Sequence, residues 1–160
     1  MLNGVSAPEI EDDYYKTIAA CCDYAAEKGV ELTLKPHGGT NATGAQCRKH
    51  IEKVGHKNFR LWYDPGNIYY YSDGTIDPVN DAADVDGLVT GMCVKDFKMP
   101  KDVNVTPGTG MVNFPKVFER LAQGGFKGGS LIIECLNTGD DQYLISEAIK
   151  ARELLEELTA

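Results

Sequence analysis

The sequence predicts an α/β fold: four consecutive β/α units with parallel strands and a polar site at the strands' C-terminal ends. Three observations carry this reading. Four short apolar runs alternate with stretches of helical periodicity along the 160 residues, glycine, proline and capping residues stand at the joints, and a polar side chain closes each apolar run. Alternation of this kind implies parallel strands joined by right-handed crossovers.

The first helix runs from Ile10 to Lys28, where Ile10, Tyr14, Ile18, Cys21 and Ala25 form one apolar stripe. Gly29 follows as its left-handed cap. Val30 to Leu34 is a short strand, stopped by Pro36 and Gly38-Gly39. Thr43 and Gln46 make a capping box for a second helix, which runs to about Val54 and ends at Gly55. Phe59 to Tyr63 is the next strand, broken by Pro65-Gly66, and Asp77-Pro78 opens a short helix with proline at its first position. Gly87 to Val94 is the third strand, and Lys98 to Val112, with two prolines and two glycines, is a long loop. Asn113 caps a helix that Gly124-Gly125 closes. Ser130 to Leu136 is the fourth strand, and Asp140 or Asp141 starts a terminal helix that runs through Leu158.

Composition narrows the function. A net charge of −8 and a pI near 4.8 repel phosphate backbones, and Glu52 interrupts the only basic group, Arg48, Lys49 and Lys53, so nucleic acid is not a partner. No apolar run approaches the roughly 20 residues of a membrane span, and no charged-then-apolar leader opens the chain. The five cysteines form no C-x-x-C pair and read as reduced, structural residues of a cytoplasmic protein. Neither G-x-G-x-x-G nor a P-loop lysine motif follows any strand, which weakens nucleotide binding.

In α/β folds ligands bind beyond the carboxyl ends of the strands, whether the sheet is open and doubly wound or part of a (β/α)8 barrel. The residues there are Lys35, Asp64 and Cys93, spaced 29 apart, and Glu134, displaced by the long loop. Asp64 serves either a ligand or the first N–H groups of the following turn. Glu134, closing Leu131-Ile132-Ile133, needs a partner, a ligand or an ion pair. His37 shares a strand-end turn with Lys35, and Lys95-Asp96 either contacts substrate or ties the loop by a salt bridge. His50 and His56, on or just after a helix, read as solvated.

Four segments together resemble one family. Leu32 to Gly39 (LTLKPHGG), Leu61 to Asn67 (LWYDPGN), Val94-Lys95-Asp96, and Gly108 to Phe114 (GTGMVNF) leading to Gly128 to Glu134 (GGSLIIE) look like the C-terminal half of the sugar phosphate isomerase/epimerase group, the xylose isomerase-like TIM barrels. Each motif is weak alone; their order and strand-end placement make the set specific. The resemblance implies that residues 1–160 are a single (β/α)4 half-barrel holding strands five to eight, and that it pairs with itself or with an N-terminal half. It also implies a divalent metal (Mg, Mn or Zn) held by a Glu, an Asp, a His and a second Glu, with the two glutamates shuttling a proton next to a carbonyl of a sugar or polyol ketone. Asp64 and Glu134 match. Lys35 stands where the first Glu is expected, Cys93 where the His is, and Asn67 replaces a further histidine.

Those departures change the local charge by two units, which disfavours a hard dication. Lys35 can neutralise Asp64 and Glu134, or stabilise an enediolate as a fixed positive charge. His37 is an alternative metal ligand, its turn being similar to a His-Pro-His-x-Gly-Thr stretch of the inosose dehydratase branch, and a Cys93 thiolate would suit zinc. The expected assignment has Glu134 and Lys35 catalytic, His37, Asn67, Lys95 and Asp96 on substrate, and Asp64, Glu134 and His37, with Cys93, as metal ligands. Two further readings stand beside the isomerase: an inosose dehydratase-like lyase, and a non-catalytic or truncated half-barrel that binds a ligand or self-associates.

Overall fold

The computed structural model describes residues 1–5 and 7–160. Among these, five strands form one sheet: β1 (Leu2–Asn3), β2 (Leu32–Lys35), β3 (Phe59–Tyr63), β4 (Val89–Val94) and β5 (Ser130–Ile133). The helices are α1 (Glu11–Glu27), α2 (Gly44–Val54), α3 (Pro65–Tyr71), α4 (Pro78–Asp81), α5 (Phe114–Gln123) and α6 (Asp141–Leu158). Every strand is parallel to its neighbour and the order is sequential, β1-β2-β3-β4-β5. A doubly wound sheet would reverse its order at a switch point. Right-handed crossovers in an unbroken order put the connecting helices on one face, the arrangement of a barrel arc.

Local chemistry explains the joints. The capping box forms, with Gln46 N donating to Thr43 Oγ1 and Gln46 Oε1 accepting from Thr43 N, and Gly55 ends α2 at φ 65°. Asp77, Asn113 and Asp140 each accept a backbone N–H at the start of α4, α5 and α6. Two elements exceed the sequence expectation. β1 is two residues long, too short for any periodic signal, and is defined only by its register of Leu2 with Leu34 and Asn3 with Lys35. α3 starts where Pro65-Gly66 reads as a break, because Asp64 caps it and proline tolerates the first helical position.

Strand alternation divides the sheet. Leu34, Leu61, Tyr63, Met92 and Val94 turn toward the helices and are buried with Ile18, Cys22, Ile51, Val117 and Leu121. Each such side chain contributes about 1.5–3 kcal/mol of burial. The opposite face carries Thr33, Trp62 and Ile132, the last 46% exposed. His50 is not solvated: it is buried, stacks on Tyr15 with ring centroids 4.4 Å apart, and its Nε2 donates to the Thr40 carbonyl at 2.7 Å. No helix among the described residues is long and apolar enough to cross a membrane.

Candidate active site

The period of two that sends Leu34, Tyr63, Val94 and Ile133 to the helices sends Lys35, Asp64, Cys93, Lys95 and Glu134 to the other face, at the carboxyl ends of β2 to β5. They meet there. Lys35 Nζ lies 2.9 Å from Asp64 Oδ2 and 2.5 Å from Glu134 Oε2. Lys95 Nζ donates to Glu134 Oε1 at 2.8 Å, and Cys93 Sγ donates to Glu134 Oε2 at 3.0 Å. Lys35 is aimed at Glu134; its contact with Asp64 is an ion pair outside hydrogen-bonding angles. Asp64 is fully buried and holds both roles open to it, since its Oδ1 accepts from Asn67 N at 2.9 Å while Oδ2 faces the ammonium. Gly66 permits this: a Cβ there would come within 2.8 Å of the Lys95 side chain and carbonyl, so only glycine lets α3 sit against the Lys95 backbone.

The charges set the protonation states. Burial raises the Glu134 carboxyl pKa, but the donors Cys93, Lys35 and Lys95 outweigh it and hold the group at about 2. Burial works against the Lys35 ammonium, yet Asp64 and Glu134 raise its pKa above the ordinary lysine value, and the same balance raises Lys95. Burial raises the Asp64 carboxyl pKa, with Lys35 and Lys95 opposing it. Burial, then Asp64 and Glu134, push the Cys93 thiol up to about 12, so Cys93 is a neutral donor. Two lysine ammonium groups thus face the Asp64 and Glu134 carboxyl groups.

A divalent ion does not fit this set. The ligand atoms of Asp64, Cys93 and Glu134 do lie within 4.8 Å of one another. An ion bound to Glu134 Oε2 at about 2.1 Å would nevertheless sit no more than about 4.6 Å from the Lys35 ammonium, which is 2.5 Å from the same oxygen. At an effective dielectric near 20 that repulsion is about 7 kcal/mol. The neutral thiol adds no charge to attract the ion.

The other candidate residues lie outside this network. His37 is exposed and stands apart from the ligand group, its Nδ1 3.2 Å from the Tyr71 hydroxyl. The Asn67 side chain donates to the Pro36 carbonyl at 2.7 Å, tying the β2 turn to α3. Among the described residues Asp96 forms no salt bridge, and its carboxylate is consumed by the chain itself: Phe97 N and Val112 N donate to Oδ1, Gly108 N and Gly110 N to Oδ2, all at 2.8–3.0 Å. It anchors the long loop through backbone amides. Sequence reasoning missed Asn41, whose buried amide donates to the Lys35 carbonyl at 2.6 Å and fixes that residue's backbone. Its position in the Gly-Gly-Thr-Asn turn gives no pattern that would have singled it out.

Known proteins share this fold. The xylose isomerase-like TIM barrel family matches residues 2–158. An inosose dehydratase of Geobacillus thermodenitrificans (strain NG80-2) is 26% identical over 151 residues, covering 84% of this chain and 50% of its own. A xylose isomerase domain protein from Planctomyces limnophilus superposes with a TM-score of 0.73 at 24% identity, covering 96% of this chain and 53% of that one. A D-tagatose 3-epimerase-like protein superposes with a TM-score of 0.74 at 18% identity, over 99% and 60%. The chain spans between half and three fifths of the length of these relatives.

Proposed function

Since the chain belongs to the xylose isomerase-like TIM barrel family, we propose that it serves a sugar isomerase or epimerase reaction, by proton abstraction next to the carbonyl of a sugar or polyol ketone. One observation carries the reading. Glu134, whose side chain is 30% exposed, lies between two buried ammonium groups at the carboxyl ends of parallel strands.

Three donors make Glu134 a weak base at rest. A carbonyl oxygen that accepts from Lys35 or Lys95 takes a donor away from Glu134 and strengthens it as a base. The α C–H bond then breaks, its proton moves to Glu134, and its electron pair moves through the carbonyl to an enediolate oxygen facing the ammonium. Isomerisation returns the proton to the adjacent carbon. Epimerisation returns one to the opposite face from a second acid, and loss of a β-hydroxyl as water gives the dehydratase variant. His37, at the rim, is a contact for substrate hydroxyls.

The chemistry needs a closed site. β1 and β5 each have an unpaired edge, and the apolar side chains Ile10, Tyr24 and Val30 on one flank and Ile132, Ile145 and Ile149 on the other are exposed. With β2 to β5 as strands five to eight of a barrel, β1 is the fourth, so closure needs three more strands. A second copy would bring five. Three further β/α units on the N-terminal side of β1 therefore suit the edges better than self-association.

A second reading has an observation of its own: the four charges are satisfied among themselves, as in a module that binds or associates without turnover. Solvent deuterium exchange into ketoses and inososes, followed by NMR, separates the two. The enzymatic reading expects exchange that falls at least about 100-fold in Glu134→Gln. Absence of exchange across the panel with the barrel closed by its partner would sink it.

A further inference from the structure

We infer that Lys35 is a built-in replacement for the divalent ion: its ammonium occupies the cation position of this site and keeps metal out. The inference stands on geometry and does not depend on turnover. The ammonium is within 2.9 Å of Asp64 Oδ2 and 2.5 Å of Glu134 Oε2, and Cys93 Sγ, the third atom of the potential ligand group, is 3.0 Å from the same Glu134 oxygen. One residue therefore contacts two of the three ligands, at distances where an ion would have to compete for the same oxygens. Its side chain is only 4% exposed, so it has little room to swing aside. Lys95 reinforces the exclusion from the other Glu134 oxygen. The cationic function and the cationic position are kept while the ion is dispensed with, since an ammonium offers a single charge and hydrogen bonds where an ion would offer Lewis acidity.

The inference reaches further than the wild-type protein. Without Lys35, Asp64, Cys93 and Glu134 form a one-sulfur, two-carboxylate set with their ligand atoms within 4.8 Å of each other. A thiol that loses its proton on binding favours zinc over magnesium or manganese. Lys35→Ala should therefore open a zinc site.

The test titrates the folded chain with Zn2+, Co2+ and Mn2+ by calorimetry, with dialysed metal content as a second measure. Wild type is expected to bind none of them stoichiometrically. Lys35→Ala is expected to bind Zn2+ at least about 100-fold more tightly than wild type, and to show a thiolate-to-cobalt charge-transfer band that Cys93→Ser in the same background abolishes. Stoichiometric metal binding by wild type, lost in Asp64→Asn, would overturn the inference whatever the turnover. A folded Lys35→Ala that gains no metal would overturn it too. Loss of Lys35 strands Asp64, so Lys35→Gln, whose uncharged amide can still donate to the carboxyl groups, is made in parallel; if neither variant folds, the wild-type titration decides alone. Metal refusal with no turnover on any sugar would defeat the enzymatic reading and leave this one standing.

Discussion

Asp64 and Asp96 are both fully buried carboxylates just beyond strand ends, yet the chain satisfies them in opposite ways. Asp96 spends both oxygens on four backbone N–H groups of one loop. Asp64 keeps one oxygen for a cap and gives the other to a lysine shared with Glu134. Backbone amides are fixed by the chain, so Asp96 holds the loop. Side-chain ammonium groups are not fixed by the backbone, and under the proposed function a substrate oxygen would accept from Lys35 or Lys95 in place of a Glu134 oxygen. What separates structure from site here is the donor, not the acid.

The sharpest break of this comparison is Asp96→Ala. It strands four N–H groups, at about 1–3 kcal/mol each when left without a partner, and releases the loop from Phe97 to Val112. Urea denaturation should show a loss of about 5 kcal/mol or more, a large share of a typical domain's stability. Asp96→Asn, which can accept at one end only, should fall between. Gly110→Ala should mimic part of the effect, because its Cβ would meet Asp96 Oδ1 at 2.3 Å.

Next in size is Lys35→Ala, which leaves Asp64 buried without its cation, at on the order of 4 kcal/mol. Its pH dependence distinguishes it from Asp96→Ala. The wild-type Lys35 pKa is raised by its partners, so its contribution is fully present below the ordinary lysine value and is lost only as pH rises through the higher folded value. In the variant, Asp64 can escape its stranded charge by taking a proton, so the deficit should shrink as pH falls. A deficit that stays constant from pH 8 to pH 5 would mean that the ion pair contributes nothing specific.

Much of the fold was legible, and for a reason. The helices α1, α2, α5 and α6 carry periodicity and caps, and strands β2 to β5 carry apolar runs ending in polar residues, all of which are local signals. β1 was not legible because two residues have no period, and α3 was not because Pro65-Gly66 reads as a break until Asp64 is seen to cap it. The positions of Lys35, Asp64, Cys93 and Glu134 followed from strand ends. Asp96 meets backbone amides instead of the salt-bridge partner that the sequence suggests, because backbone donors, unlike side chains, leave no trace in a sequence. His50 was misjudged because an apolar-face position on α2 is set by its packing on Tyr15, a residue 35 positions earlier.

Asp81 sharpens the comparison at its smallest effect. Among the described residues it has no cation and fewer amides than Asp96: Gly44 N reaches its two oxygens at 2.9 and 3.1 Å, and Tyr63 shares its hydroxyl hydrogen between Asp81 and the Pro78 carbonyl. Burial therefore prevails and raises its pKa to about 6, with the Gly44 amide and the Tyr63 hydroxyl opposing. Glu134, with three donors including two cations, is held at about 2. The folded value of Asp81 lies above the unfolded one, so folding binds a proton, and stability should fall as pH rises from about 4 through 6, by on the order of 3 kcal/mol. Asp81→Asn removes the titration while keeping one acceptor for Gly44 N, so its stability should fall less than the wild type's across that window, by the Asp81 share, and should exceed the wild type's above pH 6. If the variant keeps the wild-type slope, the titration belongs elsewhere, and the rule that donors decide the state of a buried carboxylate fails at this site.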